Sequence, residues 1–438
     1  MRRWFGKFLL LSVSLATVSP VLSNTVSLAG DEAVSNLRWK SGVVRISVSS
    51  SVLRENPNIK RDSDVAGAIR RSIEAWTSVA NVEIQQLISD KQSASPSGPV
   101  GDGVSLITVA QTPENVLLFS KDPENAAATT RIFYNKRGMI TEADIVLNPF
   151  LQFSTDGTLG TFDLQSTLTH EIGHLLGLSH SPVFGATMHA NYGKNGVFGI
   201  QNFSSRTLSA DDIAAVRSIY GARTDDEACC GWIHGRLAFG ARQGKTAEVW
   251  VEDLNGRVQA STESTDGEFR FSGLSSGQYR VFAQEAGRAR TSSPARQIGE
   301  AAVERGETVS INAKPASSTR DFDLALVGFN GQLSEMAVSL SPGHTYTLYL
   351  GGRNLDPRKL SVSFTSPFIR AVPGTMKSLD YGDEISVVSL DVRVSSRAAA
   401  GDYTIYAETE KDSKRALIGG LTIENFPTFS PNPASFQE

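Results

Sequence analysis

Cysteine and histidine are scarce in this chain of 438 residues, and neither sign of charge is in large excess. Its 2 Cys exclude a disulfide scaffold and a cysteine-ligated zinc array. The net charge of -4 is not the excess of positive charge that is typical of nucleic-acid-binding proteins, so no nucleic-acid partner is expected. Beyond the N-terminus, no apolar run approaches the roughly 20 residues of a membrane span. With 40% hydrophobic and 20% charged residues, the composition is that of a globular protein long enough for several domains.

The first residues have the pattern of a secretory signal peptide. Three basic residues precede an apolar stretch from Phe8 to Val18, and small residues at Ser23 and Ala29 offer two cleavage positions. The stretch is shorter than a typical span, which makes an uncleaved anchor helix the weaker alternative. We therefore predict that residues 1–29 are a signal peptide. The chain is then secreted, either extracellular or periplasmic, and has no membrane span in its mature form.

Residues 36–224 alternate between strand-like and helix-like patterns, which indicates an α/β (α+β) domain. Apolar residues recur every three or four positions from Val65 to Val79, as on one face of a helix. Ser209 opens another helix, because Asp212 stands where a capping box has Glu or Gln. In all, the patterns predict three helices, over residues 62–80, 162–176 and 209–220.

The pattern changes after Cys230. Short alternating strands separated by Gly-containing turns fill residues 230–313 and again 322–424, which predicts two β-rich domains. The last stretch, 425–438, contains three prolines and is predicted to be a tail. The adjacent Cys229 and Cys230 are open to three interpretations: a vicinal disulfide, an intermolecular bridge, or a small buried pair at a domain junction.

The motif HEIGHLLGLSH begins at His170 and contains three of the 6 His in the chain. His170 and His174 are four residues apart, so on a helix their imidazoles lie on one face, a turn apart. Gly177 can end that helix with a left-handed backbone, and the chain can then return to supply His180 as a third imidazole. Three imidazoles leave tetrahedral Zn²⁺ one open position, the arrangement of a catalytic site. Glu171, rotated about 100° from His170, reaches a metal-bound water more readily than the metal.

An amphipathic helix whose histidines merely face solvent or the core would not require this spacing. The extended motif, followed by Met188, resembles the signature of the metzincin zinc metalloproteases. Ser181, directly after the third His, resembles the matrixin branch, the matrix-metalloprotease-like metzincins. The resemblance implies that residues 36–224 are a metzincin catalytic domain with a twisted mixed sheet and three helices, followed by two β-sandwich domains.

The resemblance also implies a role for each matching residue. It implies one catalytic Zn²⁺ with three protein ligands, a general base, a methionine that forms the hydrophobic floor under the ligands, and a wall residue of the pocket that holds the side chain after the scissile bond. In that order, the residues are His170, His174 and His180 as ligands, Glu171 as base, Met188 as floor and Tyr192 as pocket wall.

Some features depart from animal matrixins and are similar to minimal bacterial ones. No His precedes His170, so the structural zinc site of animal matrixins cannot be built, and no Cys precedes the motif for a cysteine-switch propeptide. Calcium sites are conceivable but unassigned, because structural or solvated roles are the better interpretation of Asp144, Asp156 and Asp163.

The β-rich domains have resemblances of their own. Residues 230–313 resemble a carboxypeptidase regulatory-like or transthyretin-like β-sandwich, on segments such as Thr265-Asp266-Gly267-Glu268-Phe269. Residues 322–424 resemble an Ig-like β domain, with Gly401-Asp402-Tyr403 near a final strand. Such modules are often stalks or binding domains, which makes a cell surface, carbohydrate or matrix a candidate partner, although fold does not give the ligand.

These observations predict a secreted zinc-dependent endopeptidase. It hydrolyses peptide bonds of protein or peptide substrates with a zinc-activated water and Glu171 as general base. The alternative is a non-catalytic cell-surface or matrix-binding protein that retains a metzincin scaffold. Such a protein would be expected to lose Glu171 or a ligand, and the sequence keeps all four residues.

Overall fold

A computed structural model describes residues 26–28, 37–121, 126–191, 193–238, 246–286, 291–292, 294–314, 318–319, 321–382, 384–410 and 414–424. Most of the predicted signal peptide, the pocket residue Tyr192 and the tail at 425–438 lie outside these residues. Among the helices of the described residues, none is long and apolar enough to cross a membrane.

The N-terminal region, the described residues between 26 and 221, is built on a mixed sheet. Its strands are β1 (Val26–Leu28), β2 (Arg38–Trp39), β3 (Val43–Ser49), β4 (Glu83–Ser89), β5 (Leu106–Thr108), β6 (Ala128–Tyr134) and β7 (Met139–Leu147), with a separate short pair β8 (Phe153–Ser154) and β9 (Phe162–Asp163). The sheet order is β1-β6-β7-β5-β3-β4, and β2 pairs with β7. The strands β6 and β7 form an antiparallel hairpin, whereas β1 pairs with the outer edge of β6 in parallel.

Helices cover this sheet, and the three predicted ones are confirmed. The α-helices of the described residues are α1 (Ser50–Leu53), α2 (Val65–Thr77), α3 (Pro113–Leu118), α4 (Leu164–Leu175) and α5 (Ala210–Tyr220), and the three predicted ones correspond to α2, α4 and α5. The prediction of three helices was incomplete, because α1 and α3 are too short for an apolar period to reveal them. Local capping defines α3 instead: the Thr112 side chain accepts a hydrogen bond from the backbone of Asn115, and Pro113 opens the first turn.

The middle region, from Cys229 to Thr319, consists of two sheets and a short ladder. Its strands are β10 (Cys229–Leu237), β11 (Ala247–Asp253), β12 (Val258–Glu263), β13 (Glu268–Ser275), β14 (Gly277–Glu285), β15 (Thr291–Ser292), β16 (Arg296–Val303), β17 (Thr308–Ala313) and β18 (Ser318–Thr319). The orders are β13-β10-β17 and β12-β11-β14-β16, with β15 paired to β18. Buried side chains of both sheets, such as Ile233 and Val281, share one core. A disulfide joins Cys229 to Cys230.

The C-terminal region, residues 321–424, also consists of two sheets. Its strands are β19 (Asp323–Phe329), β20 (Gln332–Ser334), β21 (Val338–Leu340), β22 (Thr345–Arg353), β23 (Leu360–Ser363), β24 (Ile369–Ala371), β25 (Lys377–Leu379), β26 (Ser386–Val394), β27 (Gly401–Thr409) and β28 (Lys414–Ile423). The orders are β20-β19-β22-β26-β24, with β25 on β26, and β21-β28-β27-β23. Residues of both sheets form a common core. The described chain thus joins a region of helices and strands to two β-rich regions.

The three regions contact one another close to α4 and α5. The backbone N–H of Phe184, in the loop after α4, donates to the carbonyl of Ile418 on β28 at 2.8 Å. Asp211, at the start of α5, accepts hydrogen bonds from the Ser181 hydroxyl at 2.6 Å and from the backbone N–H of Ser261 on β12. The loop that follows the histidine motif is therefore held between all three regions.

Candidate metal centre

The helix α4 carries the first two histidines and is buried along its whole length. Its N-cap is Asp163, whose side chain accepts a hydrogen bond from the backbone of Ser166. Trp76 of α2 fixes the middle of the helix by donating from its indole N–H to the carbonyl of Thr169 at 2.8 Å. His170 and His174 lie on one face of α4 because they are four residues apart. Since α4 is held at its start and its middle, the positions of both histidines are fixed.

Glycine is required where the chain leaves α4. Gly177 has a φ of +95°, and a Cβ there would lie 2.2 Å from the carbonyl oxygen of Leu37. Only glycine combines that left-handed backbone with so close an approach. The turn it permits brings His180 back to the two histidines of the helix, as the spacing predicts.

The three imidazoles converge. The Nε2 atom of His174 lies 3.0 Å from Nε2 of His170 and 3.2 Å from Nε2 of His180. Two nitrogens bound to one tetrahedral Zn²⁺ at about 2.05 Å are about 3.3 Å apart. The observed separations therefore fit a single zinc ion, and the triad is placed for metal binding.

Hydrogen bonds orient two of the rings for this purpose. The Nδ1–H of His170 donates to the carbonyl of Thr187 at 2.7 Å, and that of His174 donates to the carbonyl of Leu178 at 2.8 Å. Each bond assigns the ring proton to Nδ1 and leaves the Nε2 lone pair directed at the shared point. Burial lowers the pKa of His170 to about 3 and that of His180 to about 4, so these rings are neutral, as metal ligands must be.

Glu171 lies beside the triad and is fully buried. The hydroxyl of Thr130 donates to its Oε2 at 2.6 Å. Thr130 belongs to β6, the strand whose outer edge pairs with β1. A side chain of β6 thus holds the carboxylate that follows the first histidine.

Met188 lies under the helix, with 2% of its surface exposed. A Cβ on Gly173 of α4 would come within 2.2 Å of the Met188 sulfur, so glycine permits this close packing. Asp212 of α5 fixes the backbone of the methionine turn, because its carboxylate accepts from the N–H of Thr187 at 2.8 Å and from that of Met188 at 3.0 Å. The same Thr187 supplies the carbonyl that orients His170.

Some residues of this site were not predicted from the sequence as parts of it. Thr130 belongs to no local motif, and Gly173 lies within the histidine motif at a position to which no part was assigned; the parts of both depend on contacts with distant segments. Asp212 was predicted only as a capping residue, and the structure adds its bonds to the methionine turn. The predicted wall residue Tyr192 lies outside the described residues.

Two imidazoles of α4, a third from the turn after it and the adjacent glutamate form a candidate metal centre, and comparison with known proteins shows what this part of the chain is similar to. Residues 121–221 match the family model of the matrixins (Peptidase_M10). Metalloendoproteinase 1 of Glycine max is 25% identical over 199 residues, which are 42% of this chain and 53% of that protein. Matrilysin of Mus musculus is 39% identical over 72 residues, 16% of this chain and 25% of that protein.

The match therefore spans about half or less of the length of these relatives. Residues 121–221 are therefore similar to a matrixin domain, and the similarity to metalloendoproteinases of plants and animals is weak. Among solved structures, SGBP-B of the Bacteroides ovatus mixed-linkage glucan utilization locus, in complex with a mixed-linkage heptasaccharide, is 16% identical. The alignment covers 41% of this chain and 38% of the chain in that structure, with a TM-score of 0.16. So low a score supports no conclusion about fold or ligand.

Proposed function

We propose that this protein is a secreted zinc-dependent endopeptidase with His170, His174 and His180 as zinc ligands and Glu171 as general base. The observation that carries the proposal is the convergence of three neutral Nε2 atoms, with Nε2 of His174 3.0 and 3.2 Å from the other two, beside a buried glutamate. When bound, zinc supplies Lewis acidity, which acidifies a water and polarises a scissile carbonyl.

Residues of the chain transfer the proton, hold the carboxylate of the base and support the zinc ligands. Glu171 takes a proton from the attacking water and returns it to the leaving amine. The Thr130 hydroxyl, 2.6 Å from Oε2, holds the carboxylate in position for both transfers. Met188 forms the floor under the ligands, supported by its packing against Gly173.

The substrate is proposed to be a protein or peptide that lies extended along β6 and pairs with it as an added strand. In the structure, Val26–Leu28 takes this edge, pairing in parallel with Thr130–Ile132. The predicted signal peptide, residues 1–29, includes these three residues. Cleavage after Ala29 would free the edge for a substrate, whereas cleavage after Ser23 would leave the strand in the mature chain.

We also propose the predicted domain organisation: a matrixin-like domain at 36–224 of bacterial type, a regulatory-like β-sandwich at 230–313, an Ig-like domain at 322–424 and a tail at 425–438. Each of the three described regions has a main apolar core, which supports this division. A smaller cluster that includes Val183, Trp250 and Tyr406 joins the regions. The β-rich domains are candidates for contact with a cell surface, carbohydrate or matrix.

The test is cleavage-site profiling of the purified chain on a peptide library, with and without a chelator, together with measurement of bound zinc. We expect one zinc per chain and cleavage that the chelator abolishes. Glu171→Gln should retain zinc but lower kcat by about 10²- to 10⁴-fold, the usual contribution of general acid–base catalysis. His180→Ala is the matched variant that loses metal as well. Full activity in Glu171→Gln would contradict the assignment of Glu171 as general base. Absence of zinc from the wild-type protein would contradict the whole proposal.

A further inference from the structure

The segment after the methionine turn, residues 189–200, is held on one side by the N-terminal region. The backbone N–H of Asn195 donates to the carbonyl of Thr161 at 2.8 Å, and the carbonyl of Asn195 accepts from the N–H of Gly160 at the same distance. We call residues 189–200 the post-Met segment. It begins directly after Met188, and His189 at its start forms a β-bridge with Ser181, the residue after His180, so the segment lies beside the candidate metal centre.

The other side of the segment meets a hairpin of the C-terminal region. This supporting hairpin, residues 323–336, consists of β19, β20 and the residues up to Met336. The carbonyl of Glu335 accepts from Nε2–H of His189 at 2.8 Å, and the Glu335 carboxylate accepts from the side-chain amide of Asn191 at 2.7 Å. One residue of the hairpin thus binds two residues at the start of the post-Met segment.

The hairpin also fixes an unfavourable backbone conformation in the segment. Phe198 has a φ of +60°, which a bulky L-residue rarely adopts. Its N–H donates to the side chain of Gln332 at 2.6 Å, and its carbonyl accepts from the side chain of Asn330 at 2.8 Å. The Phe198 ring is buried in the apolar core of the C-terminal region rather than in that of the N-terminal region.

Met336 makes a further contact. A Cβ on Gly193 would lie 2.7 Å from the Met336 sulfur, so the two residues pack closely. Tyr192, which the family resemblance predicts as a wall of the pocket for the side chain after the scissile bond, lies outside the described residues. Both of its neighbours in sequence are contacted by the supporting hairpin: Asn191 by Glu335, and Gly193 by Met336.

From these contacts we infer that the supporting hairpin of the C-terminal region determines cleavage specificity by positioning the post-Met segment. Glu335 and Gln332 are positioning residues in this inference, since they act through the segment and touch neither zinc ligand nor base. The inference rests on the proposed endopeptidase function. It gives the C-terminal region a part in selecting the residue after the scissile bond, in addition to any binding of its own.

The test uses the full chain and compares Glu335→Ala with Glu335→Gln, which keeps an oxygen acceptor for Asn191. Peptides that vary only the residue after the scissile bond give kcat/KM for the preferred residue relative to alanine. We expect this ratio to fall about 3- to 10-fold in Glu335→Ala, the size expected for one lost hydrogen bond, mainly through KM. Glu335→Gln should recover most of the ratio. Bound zinc should not change in either variant.

Gln332→Ala is an independent second variant, because it removes the acceptor for the Phe198 N–H. It should change the same ratio in the same direction. Glu410→Ala, at an exposed glutamate elsewhere in the C-terminal region, is the control and should leave the ratio at the wild-type value. If wild type cleaves but both alanine variants keep the wild-type ratio, the inference is overturned and the endopeptidase function stands. If zinc-loaded wild type cleaves no peptide, both are overturned.

Discussion

Thr130 shows how much of this site depends on a single side chain far away in sequence. Its hydroxyl is the donor to Oε2 of Glu171, across 41 positions of sequence, and both residues are fully buried. When a buried carboxylate oxygen loses its hydrogen-bond donor, the free-energy cost is larger than the net contribution of the bond, because no water can replace the donor. The position of the proposed base therefore depends on a threonine of β6.

Thr130→Val should test this dependence with almost no change of shape. We expect kcat to fall about 5- to 30-fold, corresponding to about 1–2 kcal/mol for the lost hydrogen bond, with zinc content unchanged. Thr130→Ser, which keeps the hydroxyl, should stay within a few fold of wild type. Steady-state kinetics with metal analysis checks both variants, and equal loss in Val and Ser would show that packing rather than the hydroxyl matters.

The histidine triad could be predicted from the sequence and Thr130 could not, for a physical reason. The four-residue spacing of His170 and His174 follows from helix geometry, and the turn at Gly177 follows from its backbone freedom. Both are local properties of eleven consecutive residues. The contact of Thr130 with Glu171 depends instead on how the sheet packs on α4, which no local pattern records.

At the scale of elements, α5 links its own capping to the methionine turn. The predicted capping box is present: the Ser209 hydroxyl accepts from the N–H of Asp212, and the Asp212 carboxylate accepts from the N–H of Ser209. The same carboxylate accepts from Thr187 and Met188. Sequence predicts the cap because it is local, whereas the second use of Asp212 appears only when α5 packs near the turn.

Two substitutions should separate these two functions of α5. Ser209→Ala removes the two hydrogen bonds between the Ser209 hydroxyl and Asp212 but keeps the carboxylate that holds the methionine turn. It should lower the free energy of unfolding by about 1 kcal/mol and change zinc affinity much less than Asp212→Asn does. Asp212→Asn should also weaken zinc binding, about 10-fold or more, because the Thr187 carbonyl that orients His170 loses its support. Chemical denaturation and competition with a chelator measure the two quantities. Unchanged zinc affinity in Asp212→Asn would refute the link.

At the scale of the whole molecule, the β-rich regions could be predicted in type but not in placement. Alternation of apolar and polar residues predicts strands such as Thr345–Leu350, which lies within β22. The bond from Phe184 to Ile418 and the contacts of Asp211 with Ser181 and Ser261 join segments that are 30 to 234 positions apart. These contacts depend on the assembled surfaces of all three regions, for which a single sequence gives no periodic signal.

The junction of the regions should also make stability depend on pH through Asp402. Burial, together with the nearby carboxylates of Asp211, Asp212 and Glu424, raises the pKa of this carboxyl from 3.8 to about 7. Its bonded partner is the Thr422 hydroxyl at 2.7 Å, and the backbone of Gly185 lies against it. As pH rises from about 4 to 7, the unfolded chain releases the proton that the folded chain retains, so folding becomes less favourable.

Asp402→Asn should remove this pH dependence, because an amide has no proton to lose. The wild-type free energy of unfolding should fall by up to about 4 kcal/mol between pH 4 and pH 7 through this group, and remain at that lower level above pH 7. The variant should therefore match wild type near pH 4 and exceed its stability at pH 8. Urea unfolding at both pH values measures the difference, with exposed Asp380→Asn as the matched control. A variant that is less stable than wild type at pH 8 would show that the ionised carboxylate stabilises the fold, and would contradict the prediction.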